Sequence, residues 1–153
     1  MNLYLVQHGE AVAKDIDPGR PLTEKGKDDV ARMAAFLGRA GVRVGRVIHS
    51  GKPRAQQTAE LLAEVIAPGV ETETSGLINP NDNPAAFDWQ SDSWDEHILV
   101  VGHLPFMAGL VAHLLTSDPE SVAVAYQPGT IVCLEHDDGR WQINWMLRPE
   151  LLT

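Results

Sequence analysis

The chain has 153 residues, 44% of them hydrophobic, and a formal net charge of −9, enough for one domain with a full core and too little for two, so 1–153 is expected to be a single domain. Its one cysteine, Cys133, excludes an internal disulfide; no apolar run approaches the ~20 residues of a membrane span, and without a basic leader the sequence predicts a cytoplasmic protein with no membrane contact. Residues 1–54 hold ten Lys/Arg against six Asp/Glu, while 55–139 hold fourteen Asp/Glu and no Lys/Arg, a layout that excludes a nucleic-acid partner but leaves a local cationic site for a small anion.

In chain order, the apolar run Leu3-Tyr4-Leu5-Val6 predicts a first strand that gives out at Gln7-His8-Gly9. An imidazole at the carboxyl end of a strand stands where ligands bind in open α/β sheets, and Gly9 lets backbone approach a ligand closely. Glu10 is open to two readings, orienting this loop or moving a proton. Arg20-Pro21-Leu22-Thr23 leads into a helix with Thr23 as N-cap, running to about Ala40 with Val30, Met33, Ala34 and Leu37 inward and Gly41 as its stop. Arg20 either reaches a phosphate or only begins that helix; Lys25, Lys27, Arg32 and Arg39 read as solvated surface charge.

Val44 to His49 is a second strand-like run, followed by Ser50-Gly51-Lys52-Pro53-Arg54. A helix is expected from about Pro53 to Ile66, with Thr58, Leu61, Leu62, Val65 and Ile66 on its inner face. Arg54 and Lys52 then meet a helix N-terminus, where free N–H groups, the dipole and a guanidinium fork together suit a tetrahedral oxyanion such as phosphate. Ser75 to Glu96 is rich in Asn, Asp and Pro, with one short helix expected near Pro84 to Trp89, and is read as the pocket rim. Ile98-Leu99-Val100-Val101 predicts a third strand leading into Gly102-His103-Leu104-Pro105. A helix follows from about Pro105 to Leu115, with Met107, Leu110, Val111, Leu114 and Leu115 inward. His113 interrupts that face and reads as partly exposed, and His49, His97 and His136 lack partners at metal-ligand spacing, so neither a metal nor a cofactor is expected. Thr130 to His136 and Trp141 to Leu147 form a hairpin around Asp137-Asp138-Gly139-Arg140. Cys133 lies within that hairpin as a packed strand residue.

Gln7-His8-Gly9 with Glu10-Ala11, Arg20 through Thr23, Ser50 through Thr58, and Gly102 through Pro105, taken together and in this order, resemble the histidine phosphatase superfamily, nearest its phosphohistidine phosphatases of the SixA type. The similarity spans essentially the whole chain. It implies an α/β fold, a three-layer α/β/α sandwich around a mixed, mostly parallel sheet, with His8 as nucleophile, Arg54 holding phosphate and His103 completing the pocket. Gln7, Gly9, Arg20 and Ser50 then fall among the residues that bind substrate. The family motif begins Arg-His-Gly, and this chain has Gln7 in place of the Arg. A Gln donates hydrogen bonds to a phosphoryl oxygen but brings neither charge nor a bidentate fork.

A neutral imidazole can attack phosphorus in line, provided its other nitrogen is fixed by a hydrogen bond. The remaining needs are positioning and charge neutralisation, which Arg54, a protonated His103 and two helix N-termini are expected to supply without a metal. Family members that act on alkyl phosphate esters usually place a carboxylic acid after the second helix, whereas this chain reads Gly76-Leu77-Ile78-Asn79-Pro80-Asn81, with Asp82 the nearest acid. A phosphoramidate releases imidazole, a better leaving group, so the expected substrate is phosphohistidine on a protein. The alternatives are a small phosphate ester, or a site attenuated by Gln7 that binds phosphorylated partners without turnover.

Overall fold

The computed structural model describes residues 1–87 and 95–152. Alternation along β1 (Asn2–Gln7) sets the layering: Leu3 and Leu5 enter the core on one face of the sheet, Tyr4 and Val6 that on the other. With β2 (Arg46–His49), β3 (Thr72–Thr74), β4 (Ile98–Gly102), β5 (Ile131–Asp137) and β6 (Arg140–Leu147) it forms a six-stranded sheet of order β3-β2-β4-β1-β5-β6. The first four in that order are parallel, and β5 and β6 close the sheet antiparallel. Helices α1 (Glu24–Arg39) and α2 (Pro53–Ile66) cover one face over Tyr4, Val6, Val47, Leu99 and Val101. On the other face, α3 (Phe106–Thr116) packs over Leu3, Leu5, Val100 and Leu134. The result is the three-layer α/β sandwich with a mixed, mostly parallel sheet that the sequence implied.

The helix limits follow from local chemistry. Thr23 caps α1, its Oγ1 accepting from the Gly26 N–H at 2.9 Å, and α2 begins on Pro53, whose missing N–H costs nothing at a helix start. Helix α3 starts one residue later than expected, at Phe106, and runs to Thr116. Leu114 and Leu115 are only half-buried, because they lie in the last turn. The inner face of α2 differs from the expected stripe: Ala55, Thr58, Ala59, Leu62, Ala63 and Ile66 are buried, whereas Leu61 is half-buried and Val65 exposed. Val65 lies instead against α1, where a Cβ on Gly38 would fall 2.5 Å from Val65 Cγ1.

Strand β3 was not anticipated. The short helix expected at Pro84 to Trp89 is a single 3₁₀ turn over Pro84–Ala86, and the end of that expected span lies outside the described residues. Lys25 and Arg32 are exposed as expected, yet both head groups pair with the carboxylate of buried Asp29. Cys133 is buried in β5, and burial pushes its thiol up to about 12, so it is a packed strand residue. No helix among the described residues is long and apolar enough to cross a membrane.

Helix α1 presses on the loop after β1. A Cβ at Gly26 would stand 2.2 Å from the Glu10 carbonyl oxygen, and one at Gly9 would stand 2.9 Å from Val30 Cγ2 and 3.2 Å from the Gly26 carbonyl oxygen. Both glycines are needed for this close approach. Gly26→Ala therefore has to move backbone rather than a side-chain tip, a distortion worth ~1–3 kcal/mol. A melting-temperature drop of roughly 3–10 °C is expected from thermal unfolding; an unchanged melt would show that the contact is not tight.

Candidate active site

Three parallel strands deliver the site. His8 follows β1, Ser50 follows β2 and His103 follows β4, so the lateral order β2-β4-β1 places His103 between the other two. The His8 N–H bonds the Gly102 carbonyl at 3.0 Å and the Gly129 N–H reaches the His8 carbonyl at 3.1 Å, which extends the sheet ladder through the imidazole-bearing residue. The His8 and His103 rings lie 5.1 Å apart between centroids, tilted by 52°.

The tautomer of His8 follows from one contact. Nδ1 lies 2.7 Å from the Gly9 carbonyl oxygen, and a carbonyl only accepts, so Nδ1 carries the proton and Nε2 holds the free lone pair. Burial, opposed by this hydrogen bond and aided by Arg54 and Arg20, lowers the His8 pKa to about 4. His103 is lowered further, to about 3, by burial and then by His8, Arg54, Lys52 and Arg20. The expected protonated His103 is therefore corrected: with these neighbours alone the ring is neutral, because a buried imidazole among cations loses its proton first.

The pKa of Arg54 itself is lowered by burial and by Arg20, which places two guanidinium groups within each other's field. Arg54 Nε is buried without a partner, as are His103 Nδ1 and Gln7 Oε1. Arg20 has φ +47°, a left-handed conformation, and its Nε donates to the Val12 carbonyl at 3.1 Å. The two readings of Arg20 meet here, since it precedes the α1 cap and also faces the imidazoles electrostatically. Ser50, expected among the substrate-binding residues, has its Oγ 2.6 Å from His103 Nε2 and accepts from the Lys52 N–H at 3.3 Å. Gln7 ends β1 opposite Gly102 and is 8% exposed.

The Glu10 carboxylate accepts from the Thr23 hydroxyl at 2.7 Å and so ties the loop to the α1 cap. Asp82 accepts from the Asn79 N–H at 2.8 Å and closes its own loop. Arg54 and Arg20 lower both imidazoles and Lys52 lowers His103 as well, and among the described residues no group of three His, Cys, Asp or Glu is placed to hold a metal ion.

Two positioning residues escaped the sequence reading. Thr58 Oγ1 accepts from the Gly9 N–H at 3.0 Å and donates to the Arg54 carbonyl at 2.8 Å, joining the His8 loop to the first turn of α2. Gln57 Oε1 accepts from the Leu22 N–H at 2.8 Å and so holds the Arg20 loop. The signal for Thr58 was a hydroxyl four residues after Arg54 on an otherwise apolar face.

Arg54→Ala is expected to weaken vanadate binding more than Arg20→Ala does. Arg54 stands on the helix N-terminus with its Nε unpartnered, whereas Arg20 already uses its Nε on Val12. Loss of one hydrogen bond to a charged group, at the low end because Arg54 is only partly buried, is worth ~1.5 kcal/mol or about tenfold in affinity. Titrations giving equal losses, or a larger one for Arg20, overturn that ranking.

Comparison with known proteins places this geometry in context. The family model described as histidine phosphatase superfamily (branch 1) matches residues 3–76. The phosphohistidine phosphatase SixA of Escherichia coli K12 is 26% identical over 154 residues, covering 97% of this chain and 94% of that protein. An uncharacterised protein of Picosynechococcus sp. is 32% identical over 114 residues, covering 69% of this chain and 67% of its own length. Among solved structures, the protein histidine phosphatase SixA complexed with tungstate superposes with a TM-score of 0.86 at 26% identity, covering 100% of both chains. An E. coli structure described as a putative α-ribazole-5′-P phosphatase, at TM-score 0.74 and 20% identity over 94% of each chain, shares the fold.

Proposed function

This chain belongs to the histidine phosphatase superfamily, and from that premise we propose that it removes phosphoryl groups from phosphohistidine on a protein, through a phosphoryl intermediate on His8 and with side chains rather than a metal neutralising the charge. The observation that carries this reading is the 2.7 Å contact from His8 Nδ1 to the Gly9 carbonyl. It leaves Nε2 as a lone-pair nucleophile beside His103 and within the field of Arg54 and Arg20. The lowered pKa keeps His8 neutral, and so nucleophilic, at neutral pH.

In the first half-reaction His8 Nε2 attacks phosphorus in line and the leaving group departs; in the second, water takes the phosphoryl group from His8. Phosphoryl transfer asks mainly for positioning and for stabilisation of charge spread over three oxygens. Arg54, Arg20 and the α2 N-terminus supply that charge. The related protein histidine phosphatase SixA is known in complex with tungstate, an oxyanion, which supports reading this site as one for an oxyanion.

A phosphohistidine substrate is favoured over an alkyl ester because the two acids that the sequence offers to protonate a poor leaving group are held within their own loops, Glu10 by the Thr23 hydroxyl and Asp82 by the Asn79 N–H. The deciding experiment measures turnover of phosphohistidine peptides and of small phosphate esters by the purified protein. Higher catalytic efficiency on the peptides supports the proposal. Faster turnover of the esters replaces it with a small-molecule phosphatase, and binding without turnover replaces it with a phosphate-binding module.

A further inference from the structure

We propose that a groove beside His103, between the loop before the 3₁₀ turn and the segment after α3, holds the substrate chain next to its phosphohistidine and selects a flanking Lys or Arg. The inference rests on the phosphohistidine reading above. The groove has a volume of about 300 Å³ and is walled by Pro80, Pro84, Pro105, Phe106, Pro119 and Val122, with Asp82 and Glu120 as its charged groups.

Both walls are continuous with the catalytic centre. Pro105 and Phe106 follow His103 along the chain, and Leu104, next to that imidazole residue, is exposed, as is Val122. The opposite wall leaves the end of β3 with the Ser75 N–H donating to the His49 carbonyl at 2.8 Å. It then passes the end of β4, where the Ile78 carbonyl oxygen lies 3.7 Å from the position a Cβ on Gly102 would take. Pro84 Cγ and the Pro119 carbonyl oxygen stand 3.1 Å and 3.5 Å from the corresponding position on Gly109, so the two sides meet over the first turn of α3. The groove therefore lies at the carboxyl end of the sheet, on the α3 side of His103. Its prolines fix φ along both walls, so little backbone freedom is lost when a chain settles there.

Charge decides the occupant. The phosphoryl pocket is cationic through Arg54, Lys52 and Arg20, whereas residues 55–139 contain no Lys or Arg. The ion pairs among the described residues involve neither Asp82 nor Glu120. Asp82 accepts only a backbone N–H, from Asn79 at 2.8 Å, and Glu120 is exposed. A chain that sends its phosphoryl group into the cationic pocket and lays a Lys or Arg over the groove meets complementary charge at both places. The aliphatic stem of that side chain covers the prolines and Val122 while its head stays at the carboxylates. An acidic flank meets like charge instead.

The test measures kcat/KM of the wild type, Glu120→Gln and Glu120→Lys on phosphohistidine peptides in which a single Arg, Ala or Glu is moved through the flanking positions. N-acetylphosphohistidine, too small to reach the groove, is the control substrate. In the wild type, Arg at the matching position is expected to exceed Ala by about three- to fivefold, the scale of a partly exposed ion pair, and Glu to fall below Ala. Glu120→Gln is expected to shrink that advantage and Glu120→Lys to turn it in favour of Glu, while all three proteins hydrolyse the control at the same rate. No preference for Arg at any position, a preference that Glu120→Lys leaves unchanged, or a loss that falls equally on the control overturns the groove as the docking site and leaves the phosphatase reading standing. A wild type inactive on both the peptides and the control overturns the phosphohistidine reading as well.

Discussion

His8→Ala is expected to cut phosphatase turnover by at least ~10³-fold, the scale on which enzymes respond to loss of a nucleophile, while the fold is retained. The His8 backbone bonds to Gly102 and Gly129 hold the loop without the imidazole, so the deletion removes the reacting atom and little else. His103 does not substitute, because its Nε2 is engaged with Ser50 and its Nδ1 is buried. Steady-state assays beside a thermal melt check both halves of the expectation. Retention of more than a few per cent of activity by a folded variant would place the nucleophile elsewhere.

Gln7→Arg is expected to raise catalytic efficiency about ten- to a hundredfold. Gln7 stands at the end of β1, opposite the residue before His103, and its Oε1 is buried without a partner. A guanidinium there adds a charge-assisted bond of ~1.5–3 kcal/mol to a group whose negative charge spreads in the transition state, which sets the size of the gain. Arg54 already feels Arg20, so a third guanidinium raises the repulsion in the unliganded site. The variant should therefore be somewhat less stable alone and recover its stability when vanadate binds. If the new contact forms equally with bound substrate, affinity rises and turnover does not. Unchanged or lower efficiency in a folded variant would show that Gln7 belongs to a rebuilt working site in which Arg20 and Lys52 already suffice.

Much of the fold and the outline of the site could be read from the chain because the deciding interactions are short-range. Thr23 caps its own helix through Gly26, Pro53 starts its own, and the apolar runs before His8, Ser50 and His103 declare strands whose ends must carry those residues. Strand β3 was hidden because Thr72, Glu73 and Thr74 form a strand only through pairing with Val47, Ile48 and His49. Its sequence has no apolar alternation to announce it. The inner face of α2 was misjudged for a related reason: hydrophobicity pointed to Leu61 and Val65, but the residues that tertiary packing buries are Ala55, Thr58, Ala59, Leu62, Ala63 and Ile66.

The candidate site could be proposed from the sequence as a set of residues and not as a network. That Thr58 bonds Gly9, or that Ser50 bonds His103 rather than standing free, depends on contacts across about fifty residues of chain that no local pattern encodes. The neutral state of His103 likewise arises from burial and from cations gathered out of separate segments. Glu10 and Asp82 looked available as acids until their carboxylates were found capping nearby groups.

The most direct test of the account is chemical trapping of the phosphoryl group. Wild-type protein is mixed with a phosphohistidine peptide carrying labelled phosphate, quenched in alkali within the first turnover, digested and sequenced by mass spectrometry. The account predicts label on His8, stable to base and lost in acid, and absent from His8→Ala under the same conditions. Label on any other residue, or full turnover by the wild type with no protein-bound phosphate at any time of quenching, would contradict it.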